Sequence, residues 1–262
     1  MLGAIAGDII GSRFERSNIK STDFELFTNQ SRFTDDSVMT LAIARALLDC
    51  DADPQRAEDA AIRSMQEFGR TWPWAGYGGR FIRWLASDDP QPYDSYGNGA
   101  AMRVSPCAWA ADSLEKALDL ARRVTRVTHG HQESIRAAEA VTSAIWMARH
   151  GASPAEIRGR ISEQYYDMGF TLDAIRPGYR FDVSCQGSVP QALEAFFEAD
   201  SFESAVRLAI SIGGDSDTIA AIAGSVAEAA YGIPDAIREE VLDRLERRQI
   251  RVLDGFRQAF HA

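Results

Sequence analysis

Two short acidic segments hold the residues best suited to chemistry. Thr34-Asp35-Asp36-Ser37 stands directly before an apolar helical pattern over Val38–Leu48, and Gly213-Gly214-Asp215-Ser216-Asp217-Thr218 before another over Ile219–Tyr231. Each places two carboxylates and a threonine hydroxyl within four residues, an all-oxygen donor set that suits Mg²⁺, Mn²⁺ or Ca²⁺ rather than zinc. Taken singly, either segment has an ordinary structural role. Thr, Ser and Asp are favoured helix N-caps, and acids in a first turn complement the helix dipole. Taken together they say more. If the two meet, four carboxylates share one small volume, and each like-charged pair ~4 Å apart costs about 4 kcal/mol at an effective dielectric of roughly 20. Such a cluster takes up protons or binds cations. Spacing along the chain does not show that they meet.

Several other sites are absent. Neither Lys20 nor Lys116 follows a glycine, so there is no P-loop. No G-x-S-x-G elbow occurs, and Gly97-Asn98-Gly99 lacks the third glycine of a dinucleotide fingerprint. His129-Gly130-His131 has a spacing that would not converge on one metal from a helix. A prenyl-diphosphate synthase wants D-D-x-x-D, but positions 39 and 40 are Met39 and Thr40. A histidine–aspartate phosphohydrolase wants an adjacent His-Asp pair, which His129, His131, His150 and His261 do not provide.

The elements that must position these residues are helical. Phe202, Ala205, Val206, Ala209 and Ile210 follow the i, i+3, i+4, i+7, i+8 spacing of one buried stripe, as do Ile237, Val241, Leu242, Leu245 and Val252 within 235–253. Similar stripes run through 35–50, 56–68, 113–124 and 132–149, with breaks at Gly151 and Gly232-Ile233-Pro234. Only Tyr179–Val183 alternates like a strand, and no strand–helix alternation suggests a nucleotide-binding α/β fold. Without a low-complexity linker, the expectation is a single all-α domain over 1–262. Ala4-Ile5-Ala6-Gly7 and Ala221-Ile222-Ala223-Gly224 are alike and rich in small residues. Tight packing accounts for them better than an internal repeat, and suggests that the two ends of the chain meet at the centre of the fold.

Bulk composition narrows the setting. With 45% hydrophobic and 25% charged residues the chain is of ordinary globular type, and a net charge of −10 argues against a nucleic-acid or anionic-membrane surface. Cys50, Cys107 and Cys185 form neither a disulfide framework nor a zinc knuckle, which favours a reducing compartment. The apolar Met1–Ile10 run lacks a basic flank and contains Asp8, so it is neither a signal peptide nor a membrane span. A soluble, cytoplasmic protein is expected.

Beyond this the chain resembles the ADP-ribosylglycohydrolase family, over nearly its whole length and in order. Gly7-Asp-Ile-Ile-Gly-Ser-Arg-Phe-Glu15 looks like the family's G-D-x-x-G-x-x-x-E, and Thr34-Asp-Asp-Ser37 its T-D-D-T with Ser in the last place. Ser95-Tyr-Gly-Asn-Gly-Ala-Ala-Met-Arg-Val104 is similar to the G-N-G-x-x-M-R segment, Thr128-His129 to its T-H, and Gly213-Gly-Asp-Ser-Asp-Thr218 to its G-G-D-x-D-T. The resemblance implies an all-α orthogonal helical domain with a binuclear centre of two divalent cations, Mg²⁺ or Mn²⁺. By the same resemblance Thr34, Asp35, Asp36, Asp215, Asp217 and Thr218 would be metal ligands, with Asp217 between the ions. Glu15 would lie at the reaction centre, and Glu15 or Asp35 would act as base. Ser95, Tyr96, Gly97, Asn98, Gly99, Met102 and His129 would hold the ADP-ribose. Residue types alone leave Arg103 open as a phosphate clamp or the partner of an acid. The tryptophans, with Tyr77, Phe81 and Trp84, read as core rather than as adenine platforms. The implied activity is removal of ADP-ribose from a protein or small-molecule acceptor, with nucleic acid relevant only as a modified substrate. The alternatives are a catalytically silent ADP-ribose-binding protein of the same fold, or another binuclear-metal hydrolase acting on a nucleotide-like substrate.

Overall fold

The N-terminal apolar run forms the first helix, α1 (Leu2–Gly11), in which Gly3, Gly7 and Gly11 recur every fourth residue and so share one face. The computed structural model describes residues 1–260; His261 and Ala262 lie outside the described residues. In chain order the helices that follow are α2 (Asp35–Asp49), α3 (Pro54–Thr71), α4 (Gly79–Ala86), α5 (Ser105–Ala110), α6 (Leu114–Arg126) and α7 (Gln132–Arg149). Then come α8 (Pro154–Gln164), α9 (Leu172–Ile175), α10 (Cys185–Phe197), α11 (Phe202–Ser211), α12 (Ser216–Tyr231), α13 (Asp235–Asp243) and α14 (Arg247–Phe260). The fold is all-α.

At its centre lies α12, buried on every side from Ser216 to Ala227 and packed by α1, α7, α10 and α11. A helix apolar all round must be covered all round. Its closest neighbour is α1, and the approach is backbone to backbone. A Cβ at Gly7 would overlap the Ala220 carbonyl, one at Gly3 the Gly224 carbonyl, and one at Gly11 would lie 2.6 Å from Asp217 Cα. The two Ala-Ile-Ala-Gly segments therefore meet, as their small residues suggest. On the other flank α2 is buried from Asp36 to Ala44 between α1, α3, α5 and α14.

Two expectations are corrected. The alternating segment Tyr179–Val183 forms no strand; its end makes an isolated antiparallel bridge, Gly97 with Ser184, in which Asn98 N–H donates to Val183 O at 2.8 Å and Cys185 N–H to Tyr96 O at 2.9 Å. With no neighbouring strand to continue the ladder, pairing stops there. The single stripe over 235–253 is two helices, α13 and α14, because the chain turns at Arg244–Glu246 while keeping Leu245 buried. Gln249 Oε1 accepts from Glu246 N–H at 2.8 Å, and Glu246 accepts from Trp72 Nε1 at 2.9 Å, which together fix the turn. No helix among the described residues is long and apolar enough to cross a membrane.

The α1–α12 contact makes a direct prediction. Gly7→Ala is expected to destabilise the protein by about 2–3 kcal/mol in urea unfolding, because neither backbone can retreat. Gly159→Ala, in the exposed middle of α8 with no atom within 4 Å of the added carbon, is expected to stabilise by roughly 0.5–1 kcal/mol through helix propensity. Equal effects from the two would refute the close approach.

Candidate active site

The two acidic segments meet. Thr34 caps α2, accepting from Asp36 N–H, and so leaves the carboxylates of Asp35 and Asp36 free of the capping role. Asp215 precedes α12 but makes no side-chain cap bond; its Oδ2 instead accepts from Asn98 Nδ2 at 2.7 Å. Across the junction Thr218 Oγ1 donates to Asp36 Oδ2 at 3.2 Å, joining residues 182 positions apart. Carboxylate oxygens of Asp8, Asp36 and Asp217 all lie within 4.8 Å of one another, and all three residues are buried.

Asp8 is the member that sequence reasoning missed as a site residue. It is carried on α1 and fully buried, with Oδ1 accepting from Thr34 Oγ1 at 2.7 Å and Oδ2 from Thr34 N–H at 2.8 Å and Ser37 N–H at 3.1 Å. Ser37 Oγ also donates to Oδ2. Its lone pairs are thus committed to holding the first turn of α2, and its role is to orient that turn. Asp36 differs: its Oδ1 is buried with no hydrogen-bond partner among the described residues. An orphaned buried carboxylate oxygen beside two more carboxylates and two threonine hydroxyls fits a divalent cation, the group that needs such donors and offsets their charge. The signal in the sequence was a lone acid inside an apolar run.

The second acidic turn is held from outside. Gly213 and Gly214 have φ of +70° and +80°, and a side chain at Gly214 would meet the Tyr179 ring at 2.5 Å. Asn18 brackets Gly214, its Oδ1 accepting from Gly214 N–H at 2.8 Å and its Nδ2 donating to Gly214 O at 2.9 Å. Lys20 donates to the carbonyls of Ile212 and Tyr179. The segment carrying Glu15 is thereby tied to the turn carrying Asp215.

At the acids opens a cleft of about 990 Å³, lined by Glu15, Thr34, Asp35, Asp36, Asp215, Asp217 and Thr218. Ser95, Gly97, Asn98, Gly99, Met102 and His129 line it too, joined by Arg103 and Phe81, and Asn98 touches Asp215 directly. Gly97 N–H donates to Ser95 Oγ at 3.1 Å, and the bridge to Val183–Cys185 fixes the rest of that loop. Tyr96 alone of the expected residues does not line the cleft. It is 53% exposed and meets His131 edge to face, because the residues on either side of it turn inward to the bridge. Tyr77, Trp72 and Trp84 are buried as expected of core, whereas the buried ring of Phe81 also reaches the cleft. Trp74, expected in the core, is 58% exposed and lines the cleft because it follows the end of α3. Arg103 pairs with no acid among the described residues: buried, it donates to Thr128 Oγ1 at 2.7 Å, and burial pushes it down to about 10.

Crowding governs the electrostatics. Burial raises Asp8 to about 6 despite its hydrogen bonds, and burial with the charge of Asp8 raises Asp35 to about 8. Asp36 and Asp217 are pushed well up by burial and then by neighbouring acids, Asp8 and Asp36 respectively. Asp215 is raised by burial against the pull of Asn98. The charge of Glu15 adds to the pressure on Asp35, Asp215 and Asp217.

These acids hold protons more tightly folded than unfolded. They therefore stabilise the metal-free fold most below the ordinary value of 3.8, and that contribution is lost as pH rises through about 6 for Asp8 and about 8 for Asp35. A bound cation reverses the balance by mass action. The increase in Tm on adding Mg²⁺ or Mn²⁺ is expected to grow steadily from about pH 5 to pH 8; a pH-independent increase would contradict the crowding. Asp217→Asn is expected to leave metal-free stability unchanged or higher, by removing one repulsion, and marked destabilisation would instead make Asp217 a structural acid.

Comparison with known proteins agrees with the geometry. The family model described as ADP-ribosylglycohydrolase matches residues 1–261. The chain is 27% identical to the ADP-ribosylhydrolase ARH3 of Mus musculus, over 89% of this chain and 83% of that one. It is 32% identical to the ADP-ribosyl-[dinitrogen reductase] glycohydrolase of Rhodospirillum rubrum over 60% of this chain and 53% of that one. Among solved structures, an ADP-ribosylglycohydrolase-related protein complex superposes with a TM-score of 0.68 at 26% identity, covering 99% of this chain and 96% of the other.

Proposed function

The chain belongs to the ADP-ribosylglycohydrolase family of glycosyl-bond hydrolases, and we propose that it removes ADP-ribose from an ADP-ribosylated acceptor with the help of divalent cations bound at its buried acids. The observation that carries this is the Thr218–Asp36 hydrogen bond, which joins the two acidic segments in the lining of a cleft that the Ser95–Gly99 loop also lines. Thr34, Asp35, Asp36, Asp215, Asp217 and Thr218 would hold two ions, Mg²⁺ or Mn²⁺, with Asp8 orienting the first three. Bound there, the ions supply charge neutralisation and Lewis acidity.

The residues of the chain do the rest. Hydrolysis adds a water oxygen to C1″ of the distal ribose, breaks the bond from C1″ to the acceptor atom, and passes through a state with positive charge on that sugar. Glu15, half-buried at the mouth of the acidic wall, or Asp35 takes the water's proton, and the acceptor leaves with a proton. The carboxylates favour the growing positive charge. The Ser95–Gly99 loop, whose Gly97 and Asn98 N–H groups are engaged within the protein, holds the diphosphate away from the reacting carbon with His129 beside it. The acceptor is a modified protein or small molecule. The catalytic unit is the whole chain as one domain, supported by a single apolar core running from Met1 to Phe256. Three free, buried cysteines support a cytoplasmic setting.

The test assays a panel of ADP-ribosylated substrates with Mg²⁺ and Mn²⁺ beside ADP-ribose titration. Glu15→Gln keeps shape and loses basicity, so kcat is expected to fall by about 10²–10⁴-fold with little change in ADP-ribose affinity. Gly99→Val places its branched side chain against His129, whose Nε2 would be 3.4 Å from even a bare Cβ. It is expected to weaken ADP-ribose binding roughly tenfold or more with metal affinity unchanged. Tight ADP-ribose binding by the wild type with no release from any substrate would instead mark a binding protein.

A further inference from the structure

Behind the Ser95–Gly99 loop lies a short polar chain of which the hydrolase reading uses only the last member, His129. Arg103 is 1% exposed and forms no ion pair among the described residues. Its Nη2 donates to Thr128 Oγ1 at 2.7 Å, and Thr128 Oγ1 lies 2.6 Å from His129 Nδ1. The other ring nitrogen, Nε2, makes no hydrogen bond to the described residues. It lies 3.7 Å and 3.4 Å from where side chains at Gly97 and Gly99 would begin, on the wall of the cleft.

Proton counting decides the arrangement. A guanidinium only donates, so the Thr128 oxygen accepts from Arg103 and retains one proton to give. That proton has two possible acceptors, His129 Nδ1 at 2.6 Å and the Thr125 carbonyl at 3.5 Å. Hydroxyl bonds have their optimum near 2.7–2.8 Å and are weak at the longer distance. The hydroxyl therefore points at Nδ1, whose lone pair it occupies, and a neutral imidazole must then carry its own proton on Nε2. The rival tautomer would aim two donors, Arg103 and Nδ1–H, at one hydroxyl and leave its proton only the distant carbonyl.

We propose that Arg103 and Thr128 are positioning residues that fix His129 as the Nε2–H tautomer, so that the cleft wall beside Gly97 and Gly99 presents a neutral hydrogen-bond donor reserved for a ligand oxygen. The identity of that oxygen, phosphate or ribose, rests on the hydrolase reading; the tautomer does not. His129 is in this role neither a metal ligand nor a proton shuttle, since Nε2 holds a proton and Nδ1 is engaged. Burial, with the charge of Arg103 behind it, holds His129 well below its ordinary range, and the Tyr93 ring 5.8 Å away supplies no counter-charge. The buried arginine without a carboxylate thus has a physical use, because an acid in its place would draw a second proton onto the imidazole.

The test is nitrogen NMR of protein labelled with ¹⁵N-histidine, the His129 signals being assigned by their loss in His129→Gln. Nε2 is expected to appear as a protonated nitrogen and Nδ1 as an unprotonated one, unchanged from about pH 6 to pH 8. Thr128→Val is expected to give mixed tautomers and to weaken ADP-ribose binding about tenfold, the worth of one hydrogen bond. Thr128→Ser, which keeps the hydroxyl, is expected to restore both. A wild-type spectrum with the proton on Nδ1, or a Thr128→Val spectrum still showing only Nε2–H, overturns the proposal. Should Thr128→Val not fold, the wild-type and Thr128→Ser spectra decide alone. A fixed Nε2–H tautomer in a protein that releases no ADP-ribose would remove the hydrolase reading and leave this assignment standing.

Discussion

Two helices that touch through their backbones set the geometry on which everything else depends. Gly3, Gly7 and Gly11 clear one face of α1, and α12 fills it with Gly224, Ala220 and the Ser216–Asp217 backbone. Because the approach is this close, residue 8 of α1 and residue 217 of α12 come to bear on one point, and α2 is drawn in beside them by the four donors that converge on Asp8. Larger residues at those glycines would part the helices by more than a carboxylate can span. The acids would then be three separate helix termini rather than a cluster.

The cluster has the opposite tendency, since its members repel and lose their water. The fold opposes that repulsion with hydrogen-bond donors on the acids: Thr34 and Ser37 on Asp8, Thr218 on Asp36, Asn98 on Asp215. It leaves Asp36 Oδ1 buried and without a hydrogen-bond partner among the described residues. A structural carboxylate in a core is normally satisfied throughout. Local stability has been given up where a positive ion is wanted, and regained at the periphery by packing.

Much of this was legible from residue types. Apolar spacing located α2, α3, α6, α7, α11 and α12, because only a helix gathers apolar residues recurring every 3.6 positions onto one buried stripe. The matched small-residue segments pointed to the meeting of the chain's ends. Less legible was whatever depends on one segment touching another without a periodic trace. Asn18 and Lys20 fall in the irregular stretch between α1 and α2, and only the fold reveals that they clamp the Gly213–Gly214 turn. Asp8 could be noticed as an acid in an apolar run, but its partners Thr34 and Ser37 lie 26 and 29 residues away. Tyr96 shows the converse: its neighbours turn inward and it does not, a distinction of local backbone direction that motif spacing does not encode.

The dependence of α1 on α12 also bears on how the protein is made. Ile5, Ile9 and Ile10 are fully buried in the finished fold, yet part of the surface that covers α1 is encoded some 200 residues later. At a synthesis rate of roughly 5–20 residues per second, the emerging helix waits for about 10–40 seconds before that partner leaves the ribosome. Throughout that interval a glycine-cleared, isoleucine-rich strip is exposed to solvent and to other nascent chains. Contacts so distant in sequence also close slowly once the chain is complete. The same closeness that joins the acids thus makes the newborn chain a natural client for holding chaperones, with its first helix the segment most in need of shelter.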